Sequence, residues 1–193
     1  MEIKLLFGII SSIVVAFCYI PYLRDIFKKK TQPHIYSWLI WAIAQAIGGA
    51  AQLKDGAGYG SLALAVGAAL CFVIFILSFK YGTRNITRFD GFCLLASLTA
   101  IIFYMTLKNP LWAVIAVTIV DFVAYLPTFR KTYQEPETET LSMFVMSALA
   151  NILSLSALQN YTITTTLYMS SLFIINSSFV TMVMIRRKTL AGK

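Results

Sequence analysis

The sequence predicts an all-α integral membrane protein with seven transmembrane helices, arranged as two three-helix bundles joined by a linker helix. The 193-residue chain is 59% hydrophobic and only 12% charged, and its charges cluster between long apolar stretches. Soluble domains carry about 25% charged residues. Because every backbone N–H and C=O in hydrocarbon must be bonded within the protein, the apolar stretches are predicted to be helices. A weak internal repeat predicts the two bundles.

Each apolar stretch is close to the roughly 20 residues that cross a bilayer. Polar clusters such as Lys54-Asp55-Gly56 and Lys108-Asn109-Pro110 separate them. The uncharged stretch 140–185 is too long for one helix and is divided at Gln159-Asn160-Tyr161-Thr162. The predicted spans are 5–23, 35–53, 59–79, 89–107, 111–129, 141–158 and 164–185.

The net charge of +8 is concentrated in alternate loops, a topology signal and not the signature of a nucleic-acid-binding protein. Only Lys4, Lys54 and Lys108 lie on the other side. The positive-inside bias predicts an N-terminus outside and a cytoplasmic C-terminus. We expect the membrane to be a bacterial inner membrane. The basic residues after spans one, three, five and seven are Arg24, Lys28, Lys29, Lys30, Lys80, Arg84, Arg88, Arg130, Lys131, Arg186, Arg187, Lys188 and Lys193.

The residues of metal and catalytic centres are sparse. Cys18, Cys71 and Cys93 lie in or beside apolar stretches without metal-ligand spacing, so we expect them to pack between helices. His34 stands alone beside a basic loop. The chain has no HExxH motif, no paired carboxylates in one span and no nucleophile–base pair. We therefore predict no metal, no cofactor and no enzymatic activity.

The internal repeat relates the segment joining spans one and two to the segment joining spans five and six. Both segments have a tyrosine and a proline before a basic loop, followed by an amide side chain in the next span. The pairs that superpose at one constant offset are Tyr19 with Tyr125, Pro21 with Pro127, Arg24 with Arg130, and Gln45 with Asn151. We predict a first repeat in 1–80, a linker helix in 81–110, and a second repeat with a basic tail in 111–193.

This 3+1+3 pattern, with a proline near the end of the first helix of each repeat and a basic loop after it, resembles the SWEET and PQ-loop superfamily of small-solute transporters. The family's Pro-Gln dipeptide is replaced by Pro21-Tyr22 and Pro127-Thr128, so the resemblance does not extend to the substrates of its amino-acid exporters. Bacterial nicotinamide riboside transporters are similar in outline. The resemblance implies a solute site near the midplane between the repeats, and alternating access.

Asp121 stands near the middle of span five, where an acid costs about 2.5–3.5 kcal/mol on insertion scales. Such residues usually face the protein interior or a water-filled cavity. We predict that Asp121 binds and releases a proton during transport, as the resemblance to cystinosin also implies. The structural alternative is a hydrogen bond to Tyr125 or to a serine of span seven.

Amide side chains are the candidate solute ligands. Trp41 and Gln45 share one face of span two, and Ser147 and Asn151 share one face of span six, because residues four apart are neighbours on a helix. Amides bond hydroxyl groups while a ring covers an apolar face, which suits a neutral polar solute. Asn176 of span seven is a third candidate, by resemblance to sugar carriers of the family. The alternative role is interhelical hydrogen bonding.

Other residues have structural interpretations that compete with functional ones. Pro21 and Pro127 are predicted hinges, with simple helix termination as the alternative. Gly60 and Gly67 are expected to permit close packing, and Trp38 to anchor the membrane interface or stack on solute. The acidic residues Glu135, Glu137 and Glu139 are expected to form a solvated loop.

These features together predict a carrier of a small polar solute, with protons as a possible second ligand and the lipid bilayer as its surroundings. Sugars, amino acids, and vitamins or nucleosides are all compatible with one ionisable group in the spans. The alternative is a seven-helix receptor or scaffold that binds a ligand without transporting it. Two repeats in one chain make a single-chain pathway feasible, with a homo-oligomer as the other arrangement.

Overall fold

The computed structural model describes residues 2–105 and 109–191. Within these residues the chain forms seven α-helices and two short 3-10 turns, with no strand. The predicted end of span four, together with Lys108 and Lys193, lies outside the described residues. The helices are α1 (Glu2–Phe27), α2 (Ile35–Lys54), α3 (Leu62–Tyr81), α4 (Arg88–Met105), α5 (Pro110–Gln134), α6 (Leu141–Ala157) and α7 (Ile163–Ala191).

In the part of the chain that the structure describes, four helical stretches are long and apolar enough to cross a membrane: Ile3–Phe27, Gly58–Tyr81, Pro110–Gln134 and Ile163–Ala191. The shorter helix α6 has 17 residues and is about 25 Å long at 1.5 Å per residue, less than the roughly 30 Å of a hydrocarbon core. That α2, α4 and α6 also cross the bilayer stays a prediction.

The outer surface of the helices is apolar and the interior holds polar groups. Large apolar side chains are more than half exposed on the outward faces, among them Phe17, Phe72, Phe92, Ile119 and Ile174. Conversely, Asp121, Asn176, Ser37 and Thr128 are buried. Apolar surface of this extent is uncommon on soluble monomers and is suited to contact with lipid.

The helices pack in a closed ring in the order α1, α3, α2, α5, α7, α6 and back to α1. Helix α4 lies outside this ring, mainly against α5 and more weakly against α2. Around the ring, α3 therefore lies between α1 and α2, and α7 lies between α5 and α6 in the same way.

The loops meet at two opposite ends of the ring. At one end, which we call the basic end, Gln32 N donates to Thr138 O (3.2 Å) and Thr83 N to Pro33 O (3.0 Å). At the other, the opposite end, Gln159 N donates to Ala57 O (3.2 Å). The predicted turn at Gly56 lies there, and its φ of 80° is one that glycine adopts without strain.

Two helices run further than the sequence predicts. Pro21 and Pro127 lie inside α1 and α5, so the alternative that they terminate these helices is wrong. Helix α5 continues for a further turn beyond the predicted end at residue 129 and carries Arg130 and Lys131. Both side chains have acidic partners on neighbouring segments, which stabilise this last turn. Whether the prolines act as hinges stays a prediction.

Candidate functional site

A central cavity of about 50 Å³ lies between two apolar clusters, one toward each end of the helix ring. It holds a few water-sized groups. All the helices of the ring contribute to its wall. The six side chains predicted to bind solute or protons all line it: Trp41, Gln45, Asp121, Ser147, Asn151 and Asn176.

Asp121 is 2% exposed and projects from the middle of α5. The Tyr168 hydroxyl donates a hydrogen bond of 3.1 Å to its Oδ1. The structural partner expected from the sequence was Tyr125 or a serine, and the observed partner is instead this tyrosine of α7. Tyr168 shares one face of α7 with Leu172 and Asn176, a spacing that the sequence already displayed.

Asp121 also borders a second, larger space of about 430 Å³ between α5 and α7. This groove opens beside exposed Phe122 and Ile174 on the apolar outer surface. Its polar lining consists mainly of hydroxyl groups, from Ser171 and Ser178 among others. Asp121 thus lies between the central cavity and this lateral groove and borders both.

The two sequence-matched amides make different hydrogen bonds. Gln45 Nε2 donates to Cys71 Sγ (3.1 Å), and Asn151 Nδ2 donates to the carbonyl of Ser147 (2.8 Å) in its own helix. Neither amide oxygen, Oε1 of Gln45 or Oδ1 of Asn151, receives a hydrogen bond from another described residue. Each is therefore available to accept one from a solute hydroxyl or amine.

Asn176 is held more tightly. The Tyr125 hydroxyl donates to its Oδ1 (2.9 Å), and its Nδ2 donates to Leu172 O (2.7 Å). Tyr19 stands in the corresponding place on α1, where its hydroxyl lies 3.1 Å from Cys71 Sγ on α3. The first helix of each half thus places a tyrosine hydroxyl against the middle of the third.

Gly67 lies directly beside the Gln45 amide, and a Cβ there would collide with Gln45 Oε1. We expect Gly67→Ala to leave the fold intact, because only the end of a flexible side chain has to move, and to turn the amide out of the cavity. Solute affinity should fall by up to about tenfold, the value of one hydrogen bond. Isothermal titration of purified protein measures this change.

Gly91→Ala is the matched control, because nothing lies within 4 Å of a Cβ at that position of α4. It should leave solute affinity unchanged and slightly raise the melting temperature, since alanine is the better helix former. If Gly67→Ala has unaltered solute affinity, Gln45 does not bind the solute.

Aromatic rings form much of the cavity wall. The Trp41 ring centroid lies 4.6 Å from that of Tyr125 and 5.0 Å from that of Trp38. Trp38 is 1% exposed, so the expected interface anchor is wrong: the ring packs in the interior against Tyr19 and Tyr22 of α1. Trp41 Nε1 is buried without a hydrogen-bond partner among the described residues.

The cavity is closed toward the basic end by a second aromatic layer. Phe144 and Phe179 pack with centroids 4.4 Å apart, and Tyr22 packs against Trp38 at 5.0 Å. All four rings are buried. A solute could reach the basic end only if this layer separated.

A buried ion pair lies beyond that layer. Lys131 Nζ is 2.7 Å from Glu139 Oε1, and Tyr22 donates to Glu139 Oε2 (3.0 Å). Lys131 also donates to the carbonyls of Gln32 (2.9 Å) and Thr138 (3.2 Å). The expectation that all three glutamates form a solvated loop is therefore wrong for Glu139, because its carboxylate faces an otherwise unpaired ammonium in the interior.

A second polar cluster attaches α4 to the basic end. Arg130 donates two hydrogen bonds to Asp90, at 3.1 and 2.7 Å, and His34 Nε2 is 3.3 Å from Asp90 Oδ2. His34 is thus buried in an ionic cluster and is not isolated as its position in the sequence indicates. No group of metal-ligating residues occurs among the described positions.

Burial lowers the pKa of His34, which lies in the loop before α2, below its usual 6.5, although Asp90 acts in the other direction. The unfolded chain then binds the proton more readily than the folded one. Stability is therefore complete above pH 6.5 and is lost as the pH falls through the folded value. We expect the melting temperature to drop between pH 7.5 and 5.5, and His34→Gln to flatten this slope. An unchanged slope in the variant would assign the effect to other groups.

The opposite end is closed by apolar and small residues. Ala57 and Leu158 are fully buried, and a Cβ at Gly60 would lie 2.6 Å from a Leu158 methyl carbon, as expected for a packing glycine. Thr162 donates to Asp55 (2.8 Å) across the loops. Buried layers thus lie on both sides of the cavity, one toward each end of the helix ring.

No protein-family model, curated protein or solved structure matches the chain. What can be said of its function therefore depends on the geometry of the cavity.

Proposed function

We propose that the protein is a membrane transporter that moves a small polar solute by alternating access, with proton coupling through Asp121. The observation that carries the proposal is the central cavity lined by all six predicted ligand side chains, with buried layers toward both ends. A scaffold has no need of a polar cavity between its helices.

The proposed architecture is that of the SWEET and PQ-loop superfamily, with two bundles, α1–α3 and α5–α7, joined by α4. Two features support it. Helix packing follows the same order in both halves, and α1 against α6 mirrors α5 against α2. In addition, Tyr19 and Tyr125 make equivalent contacts to the third helix of their own half. Rocking of the bundles would open the two closures in turn.

The orientation follows from the basic residues. We propose that all seven helices cross a bacterial inner membrane and that the basic end is cytoplasmic, with the N-terminus outside. Cysteine-scanning accessibility in whole cells tests this. If an impermeant maleimide added outside the cells labels Lys29→Cys, the protein has the opposite orientation to the one proposed.

A receptor of the same fold is the second candidate. Such a receptor for acidic peptides would need buried basic groups free to bind its ligand. Lys131 is buried, but Glu139 already pairs with it. The proposal therefore favours a carrier, with no enzymatic role.

Reconstitution into liposomes separates the two candidates. Solutes that raise the melting temperature of the purified protein, drawn from sugars, amino acids, and vitamins or nucleosides, would then be tested for uptake. We expect saturable uptake, and weaker solute affinity in Asn151→Ala by up to about tenfold. Ser156→Ala, on the exposed face of the same helix, is the matched control. Binding without uptake of any stabilising solute would establish the receptor instead.

A further inference from the structure

The charge balance of the cavity is one-sided. Among the described residues that line it, Asp121 is the only acid, and no lysine or arginine is present. A buried carboxylate is costly unless it is paired or neutralised. Tyr168 donates a hydrogen bond but brings no charge. The cavity can therefore be neutral in two ways: with a proton on Asp121, or with a cation beside it.

The aromatic wall favours the cation. Five aromatic rings line the cavity, from Tyr19, Trp38, Trp41, Tyr125 and Phe144. The faces of such rings attract organic cations, by about 2 kcal/mol or more where water is excluded. A zwitterion fits less well, because its carboxylate would find no cationic partner in this lining.

The remaining polar atoms suit a hydroxyl group. Trp41 Nε1 is a buried donor without a partner among the described residues, and can donate only to an acceptor. The amide oxygens of Gln45 and Asn151 accept in turn. A hydroxyl both accepts and donates, so it satisfies both kinds of group. The cavity volume of about 50 Å³ limits the solute in this conformation to a few heavy atoms.

We propose that the solute is a small hydroxyl-bearing organic monocation, and that it and a proton occupy the Asp121 carboxylate alternately. This inference rests on the proposed function. Binding of the cation releases the proton from the carboxyl group, and return of the empty carrier takes a proton back. One cation then crosses in one direction for each proton in the other, with no net charge moved.

The other titratable groups around Asp121 are phenols and a thiol, which ordinarily keep their protons at neutral pH. Tyr19 from α1, Cys71 from α3 and Tyr125 from α5 itself line the cavity, and Tyr168 from α7 bonds Asp121. The described lining from α2 and α6 contains no titratable side chain. Asp121 is thus the group through which pH should act on solute affinity.

Binding of matched probes to the purified protein tests the charge. Ethanolammonium and propan-1-ol have similar shape and a hydroxyl, but only the first is a cation. We expect the cation to bind at least about tenfold more tightly than its neutral partner. Glycine, which adds a carboxylate, should bind weakly. Equal binding of cation and alcohol, or of glycine and ethanolammonium, would overturn the inference.

Proton release tests the exchange. In a weakly buffered solution with a pH indicator, ethanolammonium should release up to one proton per cation bound, and its affinity should fall by up to about tenfold per pH unit on acidification. Asp121→Asn should release none. Glu137→Gln, a change at an exposed acid far from the cavity, should behave as the wild type. Cation binding without release, at every pH, would contradict the exchange.

The proposed ligand and the proposed transport activity can be refuted separately. Uptake of neutral solutes into liposomes, with no preference for cations, would refute the cationic ligand but not the transport activity. Tight cation binding without uptake would refute the transport activity but not the ligand class.

Discussion

Asp121→Asn should abolish solute accumulation driven by a pH gradient. A gradient of one pH unit stores about 1.4 kcal/mol, enough for a tenfold accumulation when one proton is coupled to one solute. Asparagine keeps the size and can still accept the hydrogen bond that Tyr168 donates, but it cannot bind and release a proton. The accumulation ratio should therefore fall from about tenfold to one, measured as uptake into liposomes with an imposed gradient.

Two variants separate the carboxylate from its surroundings. Asp121→Glu retains a titratable group and should keep part of the accumulation, whereas Tyr168→Phe removes only a hydrogen bond and should shift the pH at which coupling operates. Glu137→Gln should accumulate solute like the wild type, because this acid lies at the exposed basic end. If Asp121→Asn still concentrates solute against the gradient, protons are coupled through another residue or not at all.

The arrangement of the predicted ligands around one cavity was accessible from the sequence because two regularities fix it. Helical spacing places Trp41 with Gln45 and Ser147 with Asn151, and the repeat indicates that these two faces are equivalent. An acid within an apolar helix turns inward, as Asp121 does, because exposure to lipid is costly. Helical spacing and the inward orientation of an acid are properties of a single helix, so they can be predicted without knowledge of its neighbours.

Tertiary partners were not accessible in the same way. Nothing in the sequence near Trp38 shows whether its ring anchors the membrane interface or packs in the interior, since a tryptophan near a helix end can do either. The polar sequence around Glu139 is typical of a solvated loop. Its carboxylate is buried because Lys131 of α5 pairs with it. The same holds for His34, whose partners Asp90 and Arg130 lie far along the chain. Local patterns give no information about such contacts.

The predicted end of span five differs from the end of α5, because basic residues extend this helix. The sequence predicts an end at residue 129, since Arg130 and Lys131 indicate a membrane boundary. In the structure α5 extends to Gln134, since the two basic side chains bond to neighbouring segments and not to water. Hydropathy marks where a helix leaves hydrocarbon, and hydrogen bonding decides where it ends.

Lys131→Met should strongly destabilise the protein and open its basic end. Removing one partner of a buried ion pair costs about 3–5 kcal/mol, because the other charge is left without compensation. Among the described residues, Tyr22 alone would still donate a hydrogen bond to the Glu139 carboxylate. The melting temperature of the purified protein should fall clearly, and the double variant Lys131→Met/Glu139→Leu should recover most of the loss, since it removes both charges together.

The same pair connects segments that must separate for a solute to leave at this end. Lys131 of α5 bonds Glu139, ahead of α6, and the Gln32 carbonyl of the α1–α2 loop, while Tyr22 of α1 bonds Glu139. Breaking it should therefore shift the population toward a state open at the basic end, beyond any general loss of stability.

Cys71 is a native reporter of that shift. Cys71 lines the cavity and is 1% exposed, so we expect alkylation of its thiol to require an opening between the helices. We expect Lys131→Met to accelerate modification of Cys71 by N-ethylmaleimide several-fold at temperatures well below melting, followed by peptide mass spectrometry. Cys93, which is buried on α4 outside the helix ring, should react no faster and serves as the internal control. Equal acceleration at both thiols would indicate general loosening, and the ion pair would then be a structural contact and not a closure of the transport path.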